Sequence, residues 1–267
     1  VTITRAGNFT TAQAQSLVDG LTYRNGSQDP TVATRVVTLT TVQDSGGTGG
    51  GGIDTATLTA HSDVTIVAVN DAPTLSTTAA SPTYTETGAA VTLFSAATAS
   101  TVESGQSLTG LTLTVSNVTD GGNETLVYGG DSIALVDSGG AQALGATGLT
   151  YTVTVSGTTA TVTLSGTLSA ATLQTLVTGL KYQNAATGLA LTPANRVVTL
   201  TGITDNGGTA NGGVASASLS LASTVTVQRV NHAPTLTTTT STPTYTEDGT
   251  AVSLFSGTSV GVGTGDS

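Results

Sequence analysis

The sequence predicts an all-β chain, built as a tandem array of β-sandwich repeats of about 161 residues with one short helix in each. Three observations lead there. About sixty of the 267 residues are Thr, far above ordinary usage. Thr and Val are β-branched, which suits a pleated, half-buried surface and disfavours helix. Second, apolar residues alternate with Thr and Ser over many short stretches, and clusters of Gly, Asn and Asp separate them. Third, long ordered blocks of sequence return at a fixed spacing.

Taken along the chain, Thr10 stands where a helix cap belongs, Ala14, Leu17 and Val18 share one helical face, and Gly20 ends the run. Ser169, Leu173, Leu176, Val177 and Gly179 repeat that pattern. A strand holding Leu21 and Tyr23 should follow the first helix, and one holding Leu180 and Tyr182 the second, with the tyrosines as core anchors. Between the helices, strands are expected at 90–95, Leu108–Val118, 124–128 and 131–137. Tyr151, Val153 and Val155 face Val162 and Leu164 across a Ser156-Gly157-Thr158-Thr159 turn, which reads as a hairpin. Further strands are expected at 196–203 and 215–229, and so many short strands imply a sandwich with one buried face per sheet.

The repeat sets the domain plan. Val69-Asn70-Asp71-Ala72-Pro73-Thr74-Leu75 returns 161 residues later as Val230-Asn231-His232-Ala233-Pro234-Thr235-Leu236. Thr83-Tyr84-Thr85-Glu86 returns as Thr244-Tyr245-Thr246-Glu247, and Arg35-Val36-Val37-Thr38-Leu39-Thr40 as Arg196-Val197-Val198-Thr199-Leu200-Thr201. Residues 1–71 are thus the C-terminal part of one repeat, 72–232 a complete one, and 233–267 the N-terminal part of the next. A counterpart of 107–159 is missing from both partial repeats, so their strand edges are expected to be completed by further repeats of the array or by another copy, which would make a homopolymer. The unit is either one elaborated sandwich or two small ones, and the first is preferred.

Charge narrows the partners. Only 8% of residues are charged, 16 acidic groups face 6 basic ones, and the net charge is −10. Such a surface repels nucleic acid and anionic lipid. It attracts divalent cations, or simply keeps a secreted protein soluble. With no Cys, disulfides are excluded, and the fold must be held by its core, by metal ions or by its neighbours. No signal peptide or apolar run of membrane-spanning length stands in the sequence, and a targeting signal would lie outside it.

The Val-Asn-Asp-Ala-Pro linker, the capped helix, the Gly20-Leu21-Thr22-Tyr23-Arg24-Asn25 strand and the Arg35-Val36-Val37-Thr38-Leu39 strand together resemble bacterial cadherin-like and immunoglobulin-like tandem repeats of giant secreted surface adhesins. The resemblance implies Ig-like or cadherin-like modules in series, an extracellular or cell-surface location, and calcium at the repeat junctions. It implies a role as the shaft of an adhesin or fibre, a spacer in cell adhesion or biofilm. At the first junction it groups Asn70, Asp71, Glu86 and Glu103, with Asp44 from a Gly-rich loop of the preceding repeat. At the second it leaves Asn231, Glu247, Asp248 and Asp205. There Asp71, Asp54 and Asp63 are replaced by His232, Ala215 and Thr224, which should weaken cation binding. The metal-free alternative is an Asx-type turn at Asn70-Asp71, stiffened by Pro73.

An enzyme is not expected. Only His61 and His232 could serve as general bases near neutral pH; the position matching His61 is Ala222, and His232 lies in a linker. Gly47, Gly49 and Gly52 have the spacing of a dinucleotide fingerprint, but the alternating stretch Ile53–Leu58 follows where a helix is required. Two other classes compete with the structural reading. A carbohydrate-binding module is disfavoured by 3% aromatic residues and no Trp. A self-assembling filament, sheath or surface-layer subunit, joined by strand complementation between chains, remains open.

Overall fold

The computed structural model describes residues 1–4, 7 and 9–261. Among them the chain is all-β apart from two α-helices and a few single 3-10 turns. It divides into two compact units, Val1–Val69 and Asn70–Ser267.

In the first unit α1 (Thr11–Asp19) carries a complete capping box: Thr10 Oγ1 accepts from the Gln13 N–H, and the Gln13 side chain accepts from the Thr10 N–H. Strands β1 (Arg35–Thr38) and β4 (His61–Val64) pair antiparallel, as do β2 (Thr41–Gln43) and β3 (Thr55–Thr57). The unit has almost no core. Helix α1 buries no residue, and Ile66 is the one buried hydrophobic side chain among its described residues. The strand expected to hold Leu21 and Tyr23 does not form, and Tyr23 is 42% exposed. Among the described residues of this unit no strand pairs with that segment to satisfy its backbone groups.

The second unit contains β5 (Thr74–Ala79), β6 (Thr83–Thr85), β7 (Val91–Thr92), β8 (Phe94–Ser100), β9 (Leu108–Ser116), β10 (Glu124–Tyr128), β11 (Asp131–Ala134), β12 (Gln142–Leu144), β13 (Leu149–Ser156) and β14 (Thr159–Leu168). These are followed by α2 (Ala170–Gly179), β15 (Lys181–Asn184), β16 (Asn195–Asp205), β17 (Ser216–Gln228), β18 (Thr235–Thr240) and β19 (Phe255–Gly261). A seven-stranded sheet runs β12-β13-β14-β9-β16-β17-β6, a four-stranded sheet runs β11-β10-β15-β7, and β5 pairs with β8.

Alternation sets the register. Val153, Val162, Leu113, Leu200 and Leu221 stand opposite one another on five successive strands. A slip of one residue on any strand would turn its buried set to the other face, so the Thr–apolar alternation alone forbids it. The apolar faces of the two larger sheets meet in one core, which also takes Leu173, Leu176 and Val177 from α2. Ser169 Oγ caps that helix by accepting from the Thr172 N–H at 3.1 Å.

Three differences from expectation stand out. The strand expected at 90–95 breaks at Leu93, whose N–H turns to the Leu180 carbonyl at 3.0 Å and whose side chain is fully buried. Strands β5 and β6 lie in Thr-rich sequence that carries little apolar signal, and β6 joins β17 in parallel, with Val227 opposite Tyr84. The unit boundary falls between Val69 and Asn70, two residues before the expected 71/72, because Asn70 is tied to a late loop of its own unit. Beyond Val230 the chain stays in the second unit, where β18 and β19 form an exposed antiparallel pair. Residues 262–267 of the expected third segment lie outside the described residues.

Candidate cation site

Two polar clusters lie inside the second unit. They differ in one respect that decides their roles: the first is complete, and the second is left with unpaired acceptors.

The first surrounds Arg196 on β16, a fully buried guanidinium. Its Nε donates to Glu124 Oε2 at 2.8 Å, and one terminal nitrogen reaches Glu124 Oε1 at 3.1 Å and Asp120 Oδ2 at 3.2 Å. Tyr182 donates its hydroxyl to Glu124 Oε2 at 2.8 Å, and Asn184 Nδ2 donates to Asp120 Oδ2 at 2.7 Å. Burial would raise the Asp120 pKa, but hydrogen bonds from Thr192 and Asn184 and the charge of Arg196 outweigh it and hold the carboxyl below its ordinary value. Burial first, and then the charge of Glu124, push the Tyr182 hydroxyl up. Burial would lower the Arg196 pKa, but the hydrogen bond and charge of Glu124 raise it instead. With every charge paired, this cluster is an internal strut. The sequence reading missed it, although one signal was present: a strand alternating apolar residues, in a chain with only six basic groups, places an Arg at an inward position.

The second cluster is built at the linker. Asn70 is 8% exposed, Glu103 7% and Asp205 6%. Asn70 Nδ2 donates to Asp205 Oδ1 at 3.0 Å, to the Gly208 carbonyl at 3.2 Å and to the Val214 carbonyl at 2.9 Å, while the Val214 N–H returns to the Asn70 carbonyl at 2.9 Å. Asp205 Oδ1 also accepts from the Gly207 N–H at 2.9 Å. Glu103 Oε1 accepts from the next linker amide, Asp71 N–H, at 2.6 Å. Gly207 is required here: a Cβ on it would lie 2.0 Å from Asn70 Oδ1 and 2.5 Å from Gln106 Nε2.

Four buried oxygens in this region accept no hydrogen bond: Asn70 Oδ1, Glu103 Oε2, Gln106 Oε1 and Asp205 Oδ2. An unsatisfied buried acceptor costs about 1–3 kcal/mol, more when charged. The donor set is oxygen only, two carboxylates and two amides, which is the chemistry of a hard divalent cation. Among the described residues no group of three or more His, Cys, Asp or Glu side chains is placed to hold a metal, so an ion here would depend on the amide oxygens as well.

The expected site residues are redistributed. Asn70, Glu103 and Asp205 come together, with Gln106 added, and Asp71 contributes its N–H. Asp205 belongs with the first linker, not the second, because its loop folds back over Asn70. Glu86 does not join them. Both of its oxygens are taken by backbone at the far end of the repeat, Gly188 N–H at 2.5 Å and Val230 N–H at 2.9 Å. Those two bonds, the Gly188 one first, hold its carboxyl below the ordinary range. Asp44 lies in the first unit, where its Oδ1 accepts from the Gly46 N–H at 2.8 Å. Asn231, Glu247 and Asp248 are exposed and converge on no buried partner.

No Gly-x-Ser-x-Gly elbow was expected, yet Gly257-Thr258-Ser259-Val260-Gly261 has the spacing of a hydrolase nucleophile elbow. It forms part of strand β19, whereas that motif needs a sharp strand-to-helix turn. No helix among the described residues is long and apolar enough to cross a membrane. No protein-family model, curated protein or solved structure matches this chain.

Proposed function

We propose that this chain is a section of an extracellular structural array, in which Ig-like or cadherin-like β-sandwich repeats stand in series as the shaft of a bacterial surface adhesin or fibre. Its work is mechanical: each repeat buries its own core, and the linkers set the reach and stiffness of the array. Calcium is the proposed brace, held at the linker by Asn70, Glu103, Gln106 and Asp205. The ion would neutralise two buried carboxylates and tie the entry of the repeat to its late loop. The observation that carries this reading is the set of four unpaired buried oxygens at the point where the chain enters the repeat. The absence of Cys and the net charge of −10 support it, since the joint has no disulfide and its surroundings attract cations.

The test is a calcium titration that follows melting temperature and small-angle scattering together. An ion at a hundred times its dissociation constant stabilises by about 2.7 kcal/mol, or roughly 5–10 °C for a unit of this size. Glu103→Gln and Asp205→Asn should each reduce that rise. A melting temperature unchanged at millimolar calcium would remove the brace and leave packing alone to hold the joint.

A further inference from the structure

We infer that the outer half of strand β13 is a latent pairing edge for a second copy of this chain, held shut by the side chains of Asp137 and Ser138. Strand β13 is the second strand of the seven-stranded sheet, and its outer neighbour β12 has only three residues. Those three cover Leu149 to Tyr151. Among the described residues the remainder of that edge, at Val153 and Val155, has no strand beside it. A bare edge of this kind is a template for another chain.

The uncovered stretch fits a second copy of itself. Val153-Thr154-Val155 reads the same in both directions, so two copies can pair antiparallel about Thr154, with Val153 of each opposite Val155 of the other. Valines then meet on the core side and threonines on the outer side, and both are favourable cross-strand pairs. No side chain of β12, β13 or β14 is charged, although the chain carries a net charge of −10, so these strands set up no repulsion of their own. Because both copies use the same edge, the contact is isologous and stops at a dimer.

The crossover from β11 to β12 occupies the edge instead. The Ser138 N–H donates to the Val153 carbonyl at 3.1 Å. Ser138 Oγ accepts from the Val153 N–H at 3.1 Å and donates to the Gly140 carbonyl at 2.7 Å. Asp137 Oδ1 accepts from the Val155 N–H at 2.8 Å. Between them Gly139, at φ 66°, makes the turn that brings the Gly140 carbonyl back to Ser138. Three outward backbone groups are thus satisfied without a ladder, two of them by side chains. Asp137 is exposed, so it also sets a negative charge where a second copy would bring its own. In the array proposed above, open edges would act in concert and draw neighbouring shafts together. That consequence rests on the array reading; the closed edge itself does not.

The test compares the native chain with an Asp137→Ala/Ser138→Ala double variant, by sedimentation from micromolar to hundreds of micromolar concentration and by hydrogen exchange at the Val153 and Val155 amides. In dilute solution exchange at both amides should rise at least about tenfold in the variant. On concentration the variant should dimerise at least about ten times more tightly than the native chain, with protection returning at both amides. Adding Val155→Pro removes an outward N–H from the edge and should return association to the native level. Faster exchange with no gain in association overturns the inference, as does unchanged exchange, and as does a dimer that survives Val155→Pro. Should the double variant lose its cooperative melting, Asp137→Ala alone, which leaves both Ser138 bonds in place, carries the same comparison at Val155. The calcium titration reads a different part of the repeat, so the proposed brace and the closed edge fail separately.

Discussion

Arg196 shows how much one residue can hold. It joins β16 to Glu124 of β10 and to Asp120 of the loop before it, and also reaches the Ala194 and Thr192 carbonyls, with no access to water. Replacing such an ion pair wholesale by apolar groups is often neutral, but removing one partner strands the others. Arg196→Ala should therefore cost about 3–5 kcal/mol in urea unfolding, and Arg196→Lys should restore only part of it, because an ammonium lacks the planar fork that spans both Glu124 oxygens. Glu86 is the acid-sensitive counterpart. Its carboxyl is held below the ordinary value of 4.5, chiefly by the Gly188 N–H and then by that of Val230. A depressed folded pKa means stability that is complete above 4.5 and lost as pH falls through the folded value. Glu86→Gln should be less stable than the native chain at neutral pH, and the gap should shrink as acid unfolding curves are taken below 4.5; a constant gap would contradict the assignment.

At the scale of elements, the loop between β16 and β17 does more than connect them. Its Asp205, Gly207, Gly208 and Val214 form the seat for the linker, and the seat exists because left-handed residues turn the loop tightly enough to bring carbonyls and carboxylate to one side. Gly207→Ala should expel Asn70, since its Cβ would lie 2.0 Å from Asn70 Oδ1. The expected outcome is faster hydrogen exchange at the Val214 N–H, a lower melting temperature and a blunted calcium response, while the Arg196 cluster stays intact. The short parallel strand β6 belongs to the same scale: three residues, held by β17 on one edge and by the buried Tyr84 ring on its face.

For the whole molecule, the main hydrophobic cluster of the described residues runs from Leu75 to Val227, while α1 and β18 contribute no buried residue. A chain of residues 70–232 alone should melt cooperatively within a few degrees of the full chain, compared at a concentration low enough to prevent association. A fall of tens of degrees would mean that the flanking segments carry stability not visible in the buried core. The long-range pairings also make this a fold of high contact order, β6 meeting β17 and Asn70 meeting Asp205 across most of the repeat, so refolding should be slow for its size.

The sequence by itself determined the all-β class, the two capped helices, the central hairpin and the repeated blocks, because those signals are local: alternation, capping side chains and turn residues act within a few positions of one another. It also grouped Asn70, Asp71, Glu86, Glu103 and Asp44 at the first junction, and Asp205 with Asn231, Glu247 and Asp248 at the second. Only the tertiary structure places Asp205 on Asn70, Glu103 on the Asp71 N–H, and Glu86 on the Gly188 and Val230 amides instead. It also places an inward Arg on Glu124 and Asp120. The physical reason is distance along the chain. Asn70 and Asp205 are 135 residues apart and Arg196 and Glu124 are 72 apart, and no periodicity in a sequence records which distant loop will close over which strand.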